Sequence, residues 1–126
     1  MYLYRLQVFE WGTTKVIASA YDVAMVPDFA EWPILPGMAV KATHFGEIVA
    51  RTNLIRAIAG LSPLTLPSTV SAGQTILAAD VQQVRAWLDD ARVAVGATPV
   101  TYPVPAFAAG MPIRAADMAE MQEATR

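Results

Sequence analysis

The residues that could do chemistry in this sequence are few and stand apart from one another. His44 is the only histidine, so it has no second imidazole to share a metal ion and no marked nucleophile to activate. Asp89 and Asp90 are adjacent, so on a helix they point to different faces and cannot form a glycosidase-like carboxylate pair. The chain has no cysteine and no serine-elbow, phosphate-loop or EF-hand pattern. We therefore predict no catalysis, no metal site and no cofactor, and we interpret His44 as a polar residue that opens a helix.

Aromatic side chains offer a second kind of chemistry, because their faces can stack on the apolar faces of sugars. A carbohydrate-binding module is therefore one alternative for this chain. The tryptophans and tyrosines share no spacing that would align them in a row, so we interpret them as packing residues. Trp87 stands off the apolar stripe of its helix, where it could face a neighbouring element or another chain. The candidate interface residues are Tyr2, Tyr4, Trp11 and Trp87.

Composition excludes some classes of partner and favours another. The 126 residues carry a net charge of −2 and no basic stripe, which argues against a nucleic-acid partner. No apolar run approaches the roughly 18 to 20 residues of a membrane span, so we expect no membrane insertion. The chain is 55% hydrophobic and only 16% charged, which is more apolar surface than a small monomer hides easily. We therefore expect a homo-oligomer.

The start of the sequence bears on location. MYLYRLQVFEW lacks the charged head and apolar run of a signal peptide. An extracellular location would then require another route out of the cell, such as lysis of an infected host.

One phrase occurs three times, and it is the main feature of the sequence. LPGMAVKATH, SAGQTILAAD and AAGMPIRAAD share one register, with glycines spaced 36 and 37 residues apart. Further along, PLTLP in the first copy matches PVTYP in the second. A fixed period of this size indicates tandem supersecondary units. We place an N-terminal segment and linker at 1–33 and the repeat region at 34–126, with copies at 34–69, 70–106 and 107–126.

Each copy has the sequence pattern of a helix followed by an extended, returning segment. In copy two, apolar residues step by three and four from Val81 to Val95, as on one face of a helix. Asp80 and Asp117 fall in a first turn, where negative charge suits the helix dipole. Gly60 and its partner Gly96 stand where a helix would end on a left-handed residue. The Pro-rich stretches that follow cannot continue a helix.

The apolar stripe has two interpretations. It is either the core of one chain or a coiled-coil-like seam between chains. Thr52, which lies in the stripe of copy one, favours the core. Asp89, four residues after Arg85, fits an ordinary surface ion pair. The repeat and packing residues are Gly37, Gly73, Gly110, Val40, Ile76, Ile113, Phe45, Val81, Met118, Val84 and Leu88.

The N-terminal segment has the period of strands rather than helices. Residues 2–9 alternate in character, EWGTT reads as a turn around Gly12, and residues 15–26 read as a second strand. A lone hairpin is marginal in water, so it must pack on the helices or pair with another strand. We therefore predict an α+β fold, a β-hairpin followed by three helical repeats with Pro-rich connectors.

Six residues of the predicted hairpin form a pattern, namely Tyr2, Tyr4, Leu6, Val8, Gly12 and Ser19. With these residues the hairpin resembles the last two strands of a fibronectin type III domain. The preceding strands of such a domain have no counterpart in this sequence.

Copy one fits the pattern G-x-x-[IV]-x-A-x-H-[IF]-x-E-[LI]-R at Gly37, Val40, Ala42, His44, Phe45, Glu47 and Ile48. With this pattern, residues 34–126 resemble tandem helical repeats at the C-terminal ends of bacterial surface proteins, often directly after fibronectin type III domains. Copies two and three place Asp80 and Asp117 where copy one keeps His44, and copy three has Gln122 where arginine is usual. The phrase is also similar to G-x-x-[IV]-x-A-A-D-L-N segments of bacteriophage tail-fibre and virion proteins, where the helix often joins a trimer.

The resemblances to surface-protein repeats and to virion proteins both imply a structural or adhesive role rather than an activity. The leading hypothesis is a non-catalytic bacteriophage virion component, such as a fibre, collar or decoration protein, that self-associates and contacts other virion proteins. The alternative is an extracellular bacterial filament or surface-protein module.

Overall fold

Three helices form the framework of the protein. The computed structural model describes residues 2–9, 16–24, 29–66 and 70–125, and for the first two of these ranges it describes the backbone alone. The helices are α1 (Ala42–Ile58), α2 (Ala78–Ala94) and α3 (Ala115–Ala124). Each begins at the alanine that recurs in the repeated phrase, so the predicted helix starts are confirmed.

The predicted α+β class is wrong. Two backbone segments, β1 (Tyr2–Phe9) and β2 (Val16–Ala24), pair antiparallel with each other. Where side chains are described, however, the buried core runs from Ile34 to Ala124 and comes from the helices and their connectors. An α+β fold packs helices against a sheet, whereas these helices pack on one another. The alternation of residues in the N-terminal segment indicates strands locally. It does not indicate which elements pack against the helices. The predicted turn at Gly12 lies outside the described residues.

The three turns before the helices are alike. In each, the residue after the repeated glycine donates its N–H to the carbonyl three residues earlier, at 3.1 Å from Met38 to Leu35, 2.9 Å from Gln74 to Ser71 and 3.1 Å from Met111 to Ala108. The glycines have φ angles of 88°, 83° and 85°. Glycine reaches this left-handed region at little steric cost, which explains why the phrase keeps it.

Helices α1 and α2 end in the same motif. Gly60 has a φ angle of 72° and Gly96 of 85°. The residue after each glycine donates to a carbonyl five residues back, at 2.8 Å from Leu61 to Arg56 and at 2.8 Å from Ala97 to Arg92. This is the Schellman arrangement, which satisfies carbonyls that the last turn leaves free. The predicted left-handed ends are confirmed.

The apolar stripes pack inside one chain. Phe45, Ile48, Val81, Val84 and Leu88 have relative exposures of 0%. Thr52 is also fully buried, and its hydroxyl donates to the carbonyl of Ile48 at 2.9 Å, so its polar group is satisfied within α1. Met118 and Met121 of α3 pack in one cluster with Phe45, Ile48, Val81 and Val84, whereas Leu88 packs in a second cluster with Ile55 and Ala91. Of the two interpretations of the stripe, the intramolecular core is therefore the one that the structure shows.

Candidate functional site

The polar residue of the repeated phrase caps its own helix. In all three copies this side chain accepts a hydrogen bond from the backbone N–H of the residue immediately before the helix. The distances are 3.2 Å from Lys41 to His44 Nδ1, 3.4 Å from Leu77 to Asp80 and 2.7 Å from Arg114 to Asp117. All three capping side chains are buried. The residue at 44, 80 and 117 is therefore a structural acceptor, one half of a capping box.

His44 makes a second hydrogen bond through its other ring nitrogen. Its Nδ1 accepts the backbone bond, so the ring hydrogen lies on Nε2 and is donated to Glu31 Oε2 at 2.7 Å. Lys41 pairs with the other oxygen of Glu31. The hydrogen bond from Lys41, followed by the one from His44, lowers the pKa of Glu31 below its ordinary value. The lone histidine thus ties the segment before copy one to the start of α1.

Two equivalent arginines join successive copies. Arg56 donates through Nε to Ser62 O at 2.6 Å and through Nη1 to Trp87 O of α2 at 3.0 Å. Arg92 repeats this arrangement one copy later. It donates through Nε to Thr98 O at 3.0 Å and through Nη1 to Ala124 O of α3 at 2.6 Å. Each guanidinium therefore fixes the loop after its own helix and reaches the next helix at the same time.

A third recurring contact holds the returning connectors. The Asn53 carboxamide hydrogen-bonds to both backbone groups of Leu64. It accepts from the Leu64 N–H and donates to the Leu64 carbonyl at 3.5 Å. In the next copy Asp89 accepts from Val100 N at 2.9 Å. Asn53 and Asp89 occupy equivalent positions in the repeat, as do Leu64 and Val100. The first half of each connector is thus tied back to the helix it leaves.

Arg85 is buried rather than part of a surface pair. Its relative exposure is 3%, and its guanidinium carbon lies 4.0 Å from the centre of the Tyr102 ring and 4.6 Å from that of the Phe107 ring. It donates to Val104 O at 2.6 Å and faces Asp117 and Glu120 of α3 at 4.0 Å and 3.8 Å. The predicted partner Asp89 binds Val100 instead, so the predicted surface ion pair is wrong.

Burial changes the acidity of two groups in this cluster. It raises the pKa of Tyr102 to about 12, with a further contribution from the nearby charge of Asp89. Burial, and then the charge of Asp117, also raises the pKa of Glu120.

The contacts between helices and connectors run in cyclic order. Arg85 of α2 binds the connector that leads into copy three. At the equivalent position of α3, Gln122 donates to Glu31 O at 3.1 Å and accepts from Ile34 N at 3.3 Å, in the segment that leads into copy one. In α1 the equivalent residue is Val49, which is half-buried against the core. Copy three is therefore joined back to the beginning of copy one. The predicted domain boundary at residue 33 falls inside this joining segment.

The three turns meet at one end of the helical core. An open depression of about 290 Å³ is lined by residues of all three copies, namely Val40, Ala42, Gln74, Thr75, Ile76, Met111, Pro112 and Ile113. A second open depression of about 600 Å³ lies between copies one and three. We refer to residues 35–41, 71–77 and 108–114 together as the turn end. The predicted packing residues Val40, Ile76 and Ile113 lie here, half-buried against the core.

The candidate interface residues fall in different places. Trp87 is half-buried against the core, and its ring carries the Arg56 guanidinium at 4.7 Å, so it faces a neighbouring helix of the same chain. Tyr2 and Tyr4 belong to β1, where only the backbone is described, and Trp11 lies outside the described residues. Phe29 and Trp32 stack at 5.6 Å next to α1, a pair that the sequence reading did not single out.

The polar side chains described above therefore share one role, which is to hold the helices and their connectors together.

Within the described ranges, no group of three or more His, Cys, Asp or Glu residues could hold a metal ion. Nor is any helix there both long and apolar enough to cross a membrane. Comparison with known proteins finds no family model, curated protein or solved structure that matches this chain.

Sequence reasoning missed the bridging arginines, Asn53, Gln122 and the burial of Arg85. A signal was present for the first of these, because Arg56 and Arg92 recur in register. Gln122 stands out in the sequence only as a departure from the usual arginine, and its contacts could not be predicted because a different residue stands at its position in each copy.

Proposed function

We propose that this protein is a non-catalytic structural or attachment module. The observation that carries the proposal is the repeated use of polar side chains for assembly of the fold. The residues at 44, 80 and 117 cap helices, and Arg56 and Arg92 join successive copies. Side chains with the chemistry for a reaction are thereby committed to holding a scaffold together.

The particular setting we propose is a bacteriophage virion, where the protein would be a fibre, collar or decoration component. Support comes from the resemblance of the repeated phrase to virion protein segments, together with the apolar composition. Mass spectrometry of purified virions from the source of this sequence tests it. We expect the protein at a stoichiometry comparable to that of other minor virion proteins. Its absence from intact particles would overturn the virion setting.

We further propose that the protein self-associates and contacts other structural proteins. Several large apolar side chains remain exposed on the single chain, with Leu35 and Val93 at 55% and Leu54 at 42%. Light scattering at increasing protein concentration tests this, and we expect a mass above that of the 13.5 kDa chain. A monomer at every concentration would contradict it.

The second candidate is a module of an extracellular bacterial surface protein, which the resemblance of residues 34–126 to surface-protein repeats supports. Fractionation of the source cells distinguishes the two settings. A surface protein is found on cells that carry no phage particles, whereas a virion protein appears only where particles are made.

A further inference from the structure

A methionine sulfur closes the turn in two of the three copies. In copy three, the backbone N–H of Ala108 donates to Met111 Sδ at 3.2 Å, while the Met111 N–H donates to the Ala108 carbonyl at 3.1 Å. Copy one repeats this pair, with 3.1 Å from the Leu35 N–H to Met38 Sδ and 3.1 Å from the Met38 N–H to the Leu35 carbonyl. Each thioether therefore accepts a hydrogen bond that fixes its position on the turn.

The four methionines whose side chains are described differ in their access to solvent. Met111 is 42% exposed, and residues 108–112 around it are exposed throughout. Met38 is half-buried against the core, whereas Met118 and Met121 of α3 are fully buried. A dissolved oxidant must reach the sulfur atom before it can react. These four residues therefore provide one open thioether, one that is partly covered and two that are closed.

Copy two shows that the turn does not need a thioether. Gln74 stands at the position of Met38 and Met111, and its N–H still donates to the Ser71 carbonyl at 2.9 Å. Gly73 also keeps the left-handed φ angle, at 83°. A long polar side chain that carries an oxygen acceptor is therefore compatible with this turn. Methionine sulfoxide is such a side chain, because its S=O oxygen is polar and accepts hydrogen bonds.

We propose that Met111 is a reversible oxidation site for hydrogen peroxide, with Met38 as a slower second site. A lone pair of the Met111 sulfur attacks one peroxide oxygen, and the O–O bond breaks. An S=O bond forms, the sulfur loses two electrons, and the peroxide is reduced to water. The product replaces an exposed apolar side chain of the turn end with a polar one and leaves the fold intact. The site does not depend on the virion or surface setting.

The hydrogen bond to the sulfur also selects the chirality of the product. A thioether sulfur has two lone pairs, and oxygen added to one or to the other gives opposite sulfoxide epimers. The Ala108 N–H engages one lone pair of Met111, which leaves the other for the peroxide. We expect one epimer in excess by about threefold or more, a ratio that corresponds to a hydrogen bond of ordinary net strength. Oxidation in urea, where the turn is absent, should give both epimers equally.

Peroxide oxidation of the full chain, followed by peptide mass spectrometry, tests the order of reaction. Met111 should react first and Met38 second, and Met118 and Met121 should react at least about tenfold more slowly than Met111 while the protein is folded. Circular dichroism should show that the helices persist when Met111 is oxidised. Equal rates at Met111 and Met118, or loss of the helices at that stage, would overturn the proposal.

Methionine sulfoxide reductases report the chirality, because each of two enzymes acts on one epimer. Proteolytic peptides that contain oxidised Met111 are treated with one enzyme or the other. For protein oxidised in the folded state, one enzyme should reduce most of the sulfoxide and the other a minor fraction. For protein oxidised in urea, both should reduce equal amounts. Equal reduction of the sample oxidised in the folded state would contradict the proposal, because the Ala108 N–H would then not hold the sulfur.

Variants separate the thioether from the turn that carries it. Met111→Gln copies Gln74 of copy two, so it should keep the thermal midpoint of the wild type and make Met38 the first residue to be oxidised. The matched comparison is Met118→Gln, which places an amide in the core and should be destabilised. If Met111→Gln loses as much stability as Met118→Gln, the turn does not accept a polar side chain and the proposal fails.

Discussion

Single residues at equivalent positions differ in how tightly they cap their helices. The carboxylate of Asp117 accepts the Arg114 N–H at 2.7 Å, whereas that of Asp80 accepts the Leu77 N–H at 3.4 Å. A hydrogen bond to a charged acceptor weakens steeply as it lengthens. The two caps should therefore contribute unequally to stability.

Replacement of these caps by alanine measures the difference. We expect Asp117→Ala to lower the free energy of unfolding by about 1–2 kcal/mol, since it removes both the shorter cap and the carboxylate that faces the buried Arg85, and we expect a smaller loss for Asp80→Ala. Urea unfolding followed by circular dichroism gives both values. If Asp80→Ala proves the more costly, the caps are not the main contribution of these residues.

At the residue scale, Tyr102 also predicts a pH dependence. Its pKa of about 12 lies above the ordinary value of 10, so folding favours the neutral phenol. The stability contributed by this residue is complete below pH 10 and is lost as the pH rises toward 12. Tyr102→Phe should therefore lose less stability than the wild type between neutral pH and about pH 11. Urea unfolding at the two pH values tests this, and an identical loss in the two proteins would show that Tyr102 titrates normally.

At the scale of elements, two glycines provide a matched pair. Gly96 has a φ angle of 85° at the end of α2, where an alanine would be strained. Gly46 lies inside α1, and a methyl group there would meet no atom within 4 Å. We expect Gly96→Ala to destabilise the protein by about 1–2 kcal/mol and Gly46→Ala to stabilise it by about 0.5–1 kcal/mol. Thermal unfolding shows whether each substitution raises or lowers the stability. If Gly46→Ala is destabilising, the face of α1 that carries Gly46 is covered.

The elements are also the scale at which the sequence was most informative. Helix starts and ends follow from local rules, so the repeated alanine and the glycines at 60 and 96 located them correctly. The burial of Arg85 could not be predicted from such local rules. It depends on contacts with Tyr102 and Phe107, which belong to the connector after α2. The α+β prediction failed for the same reason, since a local strand pattern does not say what packs on the helices.

At the scale of the whole molecule, Leu88 distinguishes a core within one chain from a seam between chains. It is fully buried in the single chain. We expect Leu88→Ala to cost roughly 2–5 kcal/mol, by the same amount at all protein concentrations. Val93→Ala, at an exposed position of the same helix, should change stability by about 0.5 kcal/mol or less. If the unfolding midpoint of Leu88→Ala shifts with protein concentration, the stripe is a seam between chains.

The return of copy three to the beginning of copy one has a consequence for how such a chain can lengthen. In an open array each added unit simply extends the stack. Here Gln122 already binds Glu31 and Ile34, in the segment before copy one. A fourth unit spliced after α3 would have to displace this segment from α3 before its own connector could dock there. A single unit placed there therefore carries a penalty, because the hydrogen bonds between Gln122 and this segment would be lost.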